Sequence, residues 1–434
     1  QPRKEAFNTV KQHYEKVIVL CCFLLMFCNV GLPSTSFSVY QPYIVALPGI
    51  GDAAGSIIIG VRTLVSLICM IFVGRFYSVL DCRKGCFIAA LCTAAGFMLF
   101  SFATTFPTLC LAAAVCGAGY GLGGMIGCTL LINRWFKTDV GTAVGITAVG
   151  SGVANILIPI IAENIINSLS LSISFRAESL LALALGCLVM VLLRNRPEEM
   201  GLKAYINPKA KEEYLLKKDR DESVELDTGV SLPKPAFRAF FVAMMFVGAI
   251  CVAAPTFISV LLVSEGYDHT FAALMISVTG IALTLAKFCF GEIFDKLGAI
   301  KGTIISLGGF TVGLVLLCLA VSGNFVVAIA GVILYGAGVA VGSVGIPVWS
   351  MHLSTSDERG EIIRKFQVGY ATGSFLFNLV PGVLMDVLGS YVISYAIMAC
   401  MSAAAMAIIL VIYSKYHDHK AIGPHKNRKL TPAS

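Results

Sequence analysis

Lys287 interrupts the apolar run that opens the stretch LTLAKFCFGEIFDKLG, residues 283–298. The positions three and four residues before and after it hold no Asp or Glu, so no carboxylate on the same helix can pair with its ammonium group. In a membrane-crossing helix an unpaired charge costs at least about 2.5–3.5 kcal/mol, so we expect Lys287 to face a cavity or a partner. A carboxylate ligand would supply the missing negative charge. The alternative is a side chain that extends to the membrane surface.

Arg62 and Arg176 are two further basic residues inside apolar runs. Arg62 has no acidic residue within one turn, so we expect it to contact a ligand, to act in gating, or to pair with another helix through Glu163 or Glu178. Arg176 lies close in sequence to the same two glutamates, which favours a structural ion pair near a helix end.

Long apolar segments position these residues. The chain has 434 residues, of which 57% are hydrophobic and 13% are charged, whereas about a quarter of the residues of a soluble protein are charged. Crossing a bilayer core takes about 20 apolar residues, and the runs are continuous, which favours helices over the short alternating strands of a membrane barrel. The composition therefore predicts an all-α membrane protein with twelve transmembrane helices. The predicted spans are 17–44, 53–76, 85–104, 107–133, 141–163, 172–193, 239–263, 270–293, 302–322, 325–350, 366–386 and 390–413.

The distribution of Lys and Arg predicts the orientation. All but three of the 32 Lys and Arg residues lie at the chain ends or in alternate connections between the predicted helices. Basic connections stay in the cytoplasm, so we expect a multi-pass protein of the cell membrane with both termini cytoplasmic. The net charge of +7 follows from this topology and does not indicate nucleic-acid binding.

A polar linker at 196–237 divides the chain into an N-terminal six-helix bundle, 1–195, and a C-terminal one, 238–415, with a cytoplasmic tail at 416–434. Five glycines of the first part recur in the second at one offset of 219 residues, which indicates a duplicated unit. Such a repeat is typical of transporters whose halves move about a central site. The pairs are Gly117 and Gly336, Gly119 and Gly338, Gly123 and Gly342, Gly141 and Gly360, and Gly150 and Gly369.

The connection between the second and third helices of each half resembles the G-x-x-x-D-R/K-x-G motif of the major facilitator superfamily. The second copy, GEIFDKLG, is complete, whereas Ser78 stands where the first copy should have its acid. The resemblance implies two pseudo-symmetric six-helix bundles. It also implies that the motif residues join helix ends through a carboxylate and basic partners, and act in gating. These residues are Gly74, Asp81 and Arg83 in the first copy and Gly291, Asp295, Lys296 and Gly298 in the second.

A narrower resemblance comes from NRWFKTDVGTAVGITAVGSG (133–152) and RPEEMGL (196–202), which are similar to the oxalate/formate antiporter and monocarboxylate transporter branch. In that branch a basic residue four positions before the motif glycine of helix 8 binds the substrate carboxylate, and Lys287 has this position relative to Gly291. The family residue is usually arginine, so lysine replaces a bidentate fork by a point charge. The resemblance implies alternating-access transport of a small organic anion, a monocarboxylate.

The sequence does not determine which ion is coupled to transport. Leu283 stands where proton-coupled members of the branch have an aspartate, and Ser34 stands where they have a lysine. The eleventh helix lacks the lysine of the dicarboxylate exchangers, which favours a monoanion. Both antiport against a second anion and symport with a proton therefore remain alternatives.

Aromatic and amide side chains inside the helices are further candidates for the cavity wall. Such groups need hydrogen-bond partners when buried, and a carboxylate is a suitable one, although ordinary packing is the alternative. The candidate substrate-binding residues beside Lys287 and Arg62 are Tyr40, Tyr43, Tyr120, Asn155, Tyr335, Trp349 and Tyr370.

Other classes of protein fit less well. The 15 cysteines form no C-x-x-C pair, and the six histidines lie in predicted loops or at helix ends, so we expect no metal, no cofactor and no enzyme active site. The closest alternative is an exporter or facilitator of neutral or amphipathic compounds, in which Lys287 is structural. We expect a monomer in the lipid bilayer.

Overall fold

The computed structural model describes residues 14–207, 232–320, 324–354 and 358–416. Eleven helical segments among them are long and apolar enough to cross a membrane. One of them, His269–Cys318, has 50 residues, and at 1.5 Å per residue it is about 75 Å long, enough for two crossings. Gly298 breaks this segment with φ 81° and ψ 167°, so the described chain crosses twelve times and the predicted fold class is confirmed.

The twelve crossing helices are numbered in chain order. In the first half they are α1 Tyr14–Val45, α2 Gly51–Val79, α3 Cys82–Phe102, α4 Phe106–Trp135, α5 Val140–Ser168 and α6 Leu171–Leu192. In the second half they are α7 Lys234–Ser264, α8 269–297, α9 299–318, α10 Phe325–His352, α11 Glu361–Leu388 and α12 Val392–Tyr416.

Contacts between helices follow the division into halves. In the first half α4 packs against α2 and α3, α3 packs against α6, and α1 packs against α5. In the second half α7 packs against α11 and α12, while the α8–α9 segment packs against α10 and α12. The halves meet chiefly where α2 contacts α11 and where α5 contacts the α8–α9 segment.

Two glycine pairs of the repeat have equivalent packing. A Cβ at Gly117 of α4 would lie 2.3 Å from the Arg62 carbonyl oxygen of α2, and one at Gly336 of α10 would lie 3.1 Å from Thr279 Cα of α8. In both halves, therefore, the fourth helix approaches the backbone of the second too closely for a larger residue.

In each half, the fifth helix also approaches the backbone of the first helix closely at a glycine of the repeat. A Cβ at Gly150 would lie 2.1 Å from the Phe23 carbonyl oxygen, and one at Gly369 would lie 3.2 Å from the Phe241 carbonyl oxygen. The glycines thus allow the same two close helix approaches in each half.

Helix α1 is irregular around Pro33, whose missing N–H cannot join the backbone ladder of a regular helix. A π turn spans Phe27–Gly31 and a 3₁₀ turn spans Thr35–Tyr40. Ser36 Oγ donates hydrogen bonds to the carbonyls of Gly31 and Leu32, which stabilises the break. The 3₁₀ segment contacts α7 and the α8–α9 segment of the other half.

The first stretch that resembles the monocarboxylate branch, 133–152, contacts residues on either side of the second stretch, 196–202. The Trp135 indole donates to the Arg194 carbonyl at 3.1 Å, and Tyr205 N donates to the Trp135 carbonyl at 2.7 Å. The start of the predicted linker is thus attached to the α4–α5 connection. Residues 208–231 of that linker, and the predicted tail from residue 417, lie outside the described part of the chain.

Gly298 should be irreplaceable in the turn between α8 and α9, whereas Gly291 of the same motif should not. Alanine at 298 would have to keep the left-handed φ of 81°, which costs about 1–2 kcal/mol. No heavy atom lies within 4 Å of a Cβ built at Gly291, which is helical. We expect Gly298→Ala to lower the thermal unfolding temperature of the purified protein and Gly291→Ala to keep or raise it. Equal effects of the two substitutions would contradict this assignment of the turn.

Candidate functional site

The two halves are joined at one end of the helix bundle, opposite to the end that holds the Lys- and Arg-rich connections. We call these the closed end and the basic end. At the closed end Tyr391 donates to Asp52 Oδ1 at 2.6 Å, and the amide of Ala53 donates to Asp386 Oδ2 at 3.1 Å. Burial raises the pKa of the Tyr391 hydroxyl, and its hydrogen bond to Asp52 raises that pKa further, so Tyr391 stays protonated and donates.

Nearer the middle of the bundle, the helices of the two halves touch directly. A Cβ at Gly60 of α2 would lie 2.2 Å from Leu379 Cδ2 of α11, and one at Gly152 of α5 would lie 2.3 Å from Thr284 Oγ1 of α8. Asn378 Nδ2 donates to Thr63 Oγ1 at 3.1 Å. These contacts form a layer that separates the closed end from the space beyond.

A cavity of about 370 Å³ lies between the halves on the basic side of this layer. Helices α2 and α8 each contribute one residue to the contact layer and one to the cavity wall. On α2 these are Gly60 and Met70, and on α8 they are Thr284 and Lys287; on each helix the cavity residue is nearer the basic end. The cavity thus begins beyond the contact layer, toward the basic end. Its walls are Met26, Val30, Met70, Tyr120, Gly124, Met125, Ala148, Ser151, Lys287, Ser343 and Val344.

Lys287 is the one charged residue among the described residues that line this cavity. It lies 11 residues before Gly298, or about 16 Å along the helix axis, and therefore at membrane depth. The described residues provide no ion-pair partner for its ammonium group. The side chain lines the cavity, whereas its role in binding an anion stays a prediction.

Arg62 lies behind the cavity wall. Its side chain is 6% exposed, and its guanidinium carbon lies 5.2 Å from the centroid of the Phe37 ring. The Nη1 atom is buried without a hydrogen-bond partner, and neither Glu163 nor Glu178 forms an ion pair with it among the described residues. Tyr120, which lines the cavity, is the neighbour of Arg62 on that side.

The two glutamates are bound by tyrosines of α1. Tyr40 Oη lies 2.5 Å from Glu178 Oε1, and Tyr43 donates to Glu163 Oε1 at 2.8 Å. The ring of Tyr43 also stacks on His269 at 4.5 Å, at the closed end. Tyr40 and Tyr43 therefore lie away from the cavity.

The expected ion pair of Arg176 is wrong for the described residues. The guanidinium of Arg176 lies 5.0 Å from the centroid of the Phe102 ring instead. The two glutamates near it in sequence are buried and hydrogen-bonded to tyrosines, whereas Arg176 is at the exposed surface, so the groups do not share an environment.

Three aromatic candidates belong to the second half and do not line the cavity, although Tyr370 lies near Tyr120 of the cavity wall. Tyr335 Oη is 2.8 Å from Thr279 Oγ1, and the Trp349 indole donates to Thr303 Oγ1 at 2.9 Å. Tyr370 packs between α7 and α10. Hydrogen bonds within the half already satisfy Tyr335 and Trp349, so neither needs a ligand.

Asn155 and several residues that the sequence analysis did not select lie at or near the contact layer. Asn155 Oδ1 accepts from Ser36 N at 3.3 Å, and its backbone lies against Gly280 of α8. Asn378 Oδ1 and both amide atoms of Gln41 are buried without hydrogen-bond partners. An amide in an apolar helix is itself a signal for such a position, because it needs a partner from another helix.

The motif residues join helix ends differently from the expectation. Arg83 Nε donates to the Met190 carbonyl at 2.6 Å, which attaches α3 to the end of α6. Lys296 pairs at 2.8 Å with Glu292, and not with Asp295, on the surface of α8. Among the described residues neither Asp81 nor Asp295 forms an ion pair. No heavy atom lies within 4 Å of a Cβ built at Gly74 or Gly291.

Two six-helix halves that meet at one end and enclose a cavity are typical of secondary transporters. The family model described as the Major Facilitator Superfamily matches residues 19–264 and 236–434. The chain therefore belongs to the Major Facilitator Superfamily, whose family and fold are those of membrane transporters.

Curated relatives match over part of their length. An MFS-type transporter of Gibberella moniliformis is 24% identical over 241 residues, which are 54% of this chain and 52% of that protein. The MFS-type transporter dbaD of Emericella nidulans is 25% identical over 188 residues, 43% of this chain and 42% of that protein. The chain spans about half the length of the curated relatives it matches.

Solved structures share the fold at low sequence identity. The nucleoside transporter NupG superposes with a TM-score of 0.73 at 14% identity, covering 91% of this chain and 100% of that chain. A D-xylose-proton symporter superposes with a TM-score of 0.69 at 14% identity, covering 92% of this chain and 97% of that chain.

Tyr391→Phe should weaken the closed end. It removes the 2.6 Å hydrogen bond to Asp52, and a hydrogen bond to a charged group contributes about 1.5–3 kcal/mol. Leu169 and Leu319 lie in different halves. Double electron–electron resonance between spin labels at these positions should show a larger population in which the closed end is open. Tyr395→Phe is the matched control, because Tyr395 donates at 2.6 Å to Ala254 within one half. An equal change in both variants would contradict a role of Tyr391 in joining the halves.

Proposed function

We propose that this transporter moves a small organic anion, a monocarboxylate, by alternating access, and that Lys287 binds the carboxylate. The observation that supports this most directly is the position of Lys287: it lines the cavity between the halves and has no ion-pair partner among the described residues. The resemblance of two stretches to the oxalate/formate antiporter and monocarboxylate transporter branch supports the same substrate class.

The rest of the wall favours an anion with an apolar body. Met26, Met70 and Met125 contribute thioethers from three helices, while Tyr120 and Ser343 contribute hydroxyls. Methionine adapts to irregular apolar shapes. A carboxylate at Lys287 with a short alkyl or aromatic group against the methionines would satisfy both parts of the cavity. A dicarboxylate would bring a second charge that no further cation lining the cavity matches.

Anion binding would also favour closure of the cavity. An uncompensated ammonium group opposes exclusion of water, because its desolvation costs free energy. A carboxylate compensates this charge and stabilises the occluded conformation relative to the open one, which is what a transported ligand must do to shift the population. By the positive-inside rule the basic end is cytoplasmic, so the present conformation would face the cytoplasm of a cell-membrane protein. The counter-substrate is a second anion or a proton.

Lys287→Gln should weaken carboxylate binding. Thermal unfolding of the purified protein is to be followed with benzoate and hexanoate and with their neutral isosteres, benzamide and hexanamide. We expect the acids to stabilise the wild type, by about 2.7 kcal/mol at a hundredfold excess over Kd. Loss of a charged hydrogen bond should weaken binding about ten- to hundredfold in the variant.

Lys301→Gln is the control, since Lys301 is an exposed lysine of α9. It should keep the response of the wild type to benzoate. Equal stabilisation of Lys287→Gln and the wild type by benzoate would remove Lys287 from the binding site.

The apolar lining also fits a second candidate function, the export or facilitated transport of neutral or amphipathic compounds. Three of the wall residues are methionines and only one is charged. In that case benzamide and hexanamide should stabilise the wild type and Lys287→Gln alike, and the acids should have no advantage over them.

A further inference from the structure

We propose that Glu178 is a proton-binding site whose proton is held in the present conformation and released when the closed end opens. The proposal rests on the proposed transport function in one respect: the proton would be the coupling ion.

The hydrogen-bond chain can be satisfied fully only with one extra proton. Ser174 Oγ donates to the Ala162 carbonyl at 3.3 Å, which uses its single proton. Tyr40 Oη lies 2.8 Å from Ser174 Oγ, a contact in which either hydroxyl can donate; with the Ser174 proton directed to Ala162, the donor is Tyr40. The 2.5 Å contact between Tyr40 Oη and Glu178 Oε1 then needs a donor on Glu178. Only the carboxylic acid provides one.

Burial favours the same protonation state. Glu178 is 5% exposed, and its Oε2 atom is buried without a hydrogen-bond partner. An ionised carboxylate with a bare buried oxygen is strongly destabilised, whereas a protonated one is tolerated.

The helices around Glu178 provide no cation that pairs with it. Helix α1 provides the Tyr40 hydroxyl, and α3 provides the rings of Phe97 and Phe100, which pack on Phe175. Among the described residues no lysine or arginine forms an ion pair with Glu178.

The remaining titratable neighbours belong to α4, α5 and α2. Helix α4 contributes the Cys116 thiol, which lies near both Glu178 and Arg62 of α2. Helix α5 contributes Glu163, which is engaged by other donors. Cys116 is therefore the titratable group that is close to both Glu178 and Arg62.

Glu163 provides a contrast within the same half. Its Oε1 accepts from Tyr43 at 2.8 Å and from Asn167 Nδ2 at 3.1 Å. Both donors direct their protons toward Oε1, so no proton is needed on that oxygen of Glu163. Its Oε2 is buried without a partner, as in Glu178, so the contrast between the two glutamates lies at Oε1. The two glutamates are buried to a similar extent. They differ in their neighbours, because Glu163 has two donors, whereas the Tyr40 proton next to Glu178 is used on Ser174.

Tyr40 connects the proton to the conformational change. It ends the 3₁₀ segment Thr35–Tyr40 of α1, and this segment contacts α7 and the α8–α9 segment of the other half. Separation of the halves at the closed end would change these contacts and the position of Tyr40. The O–H bond of Glu178 then breaks, its proton passes to water admitted from that end, and the Tyr40 hydroxyl reorients to donate to the carboxylate.

Infrared spectroscopy of the purified protein tests the protonation state without any transported anion. We expect a carbonyl stretching band of a protonated carboxyl group at neutral pH. Glu178→Gln should lose this band and the matched variant Glu163→Gln should keep it. Ser174→Ala should move disappearance of the band to lower pH, because Tyr40 then becomes free to donate to an ionised Glu178. An unchanged band in Glu178→Gln overturns the proposal, and so does an unchanged titration in Ser174→Ala.

Distance measurements test the link to the conformational change. Spin labels at Val79 of α2 and Gln367 of α11, both exposed near the basic end, report the separation of the halves there. Raising the pH should reduce the open basic-end population in the wild type and in Glu163→Gln, and should leave Glu178→Gln unchanged. A pH response of Glu178→Gln equal to that of the wild type overturns the proposal. If benzoate failed to stabilise the protein, the proposed substrate class would be contradicted. The infrared band and the pH-dependent distances would still test the proton site on Glu178 independently.

Discussion

The ammonium group of Lys287 lies at membrane depth beside a cavity and has no carboxylate partner among the described residues. This arrangement is unfavourable unless water or an anion is present, because low-dielectric surroundings oppose a bare charge. The open cavity satisfies the first condition and a bound carboxylate would satisfy the second. Under the proposed function, the conformational equilibrium would depend on what lies next to this cation, and desolvation of the ammonium group would oppose closure without a ligand.

The two halves contribute different chemistry to this arrangement. The second half supplies Lys287, while the first half holds Arg62, Glu163 and Glu178 in its interior, where they form no ion pairs with one another among the described residues. The broken helix α1 lies between these groups: its tyrosines bind both glutamates, and its 3₁₀ segment touches the second half. A displacement of the second half can thus change the hydrogen bonds of buried carboxyl groups that do not line the cavity.

The helices could be predicted from the sequence because length and hydropathy are enough to define a membrane crossing, and Gly298 could be predicted from its motif. The residues that line the cavity were harder to predict from the sequence. Tyr335 and Trp349 are suitable residue types on the expected helices, yet each lies with its polar atom bonded inside the second half. Sequence periodicity in an apolar helix does not distinguish the face toward a cavity from the face toward a neighbouring helix. For the same reason the methionines of the wall could not be selected in advance.

The duplication explains which features recur and which occur once. The recurring glycines allow equivalent approaches of the fourth helix to the second and of the fifth to the first in each half, so the repeat preserves the packing. The charged residues do not recur: at the repeat offset Lys287 corresponds to Ile68, Arg62 to Ile281, and Glu178 to Ile397. A buried charge in both copies would double the desolvation penalty and place like charges across the interface between the halves. Single-copy charges on a symmetric scaffold avoid that penalty, and they make the two halves unequal in the response to an anion or a proton.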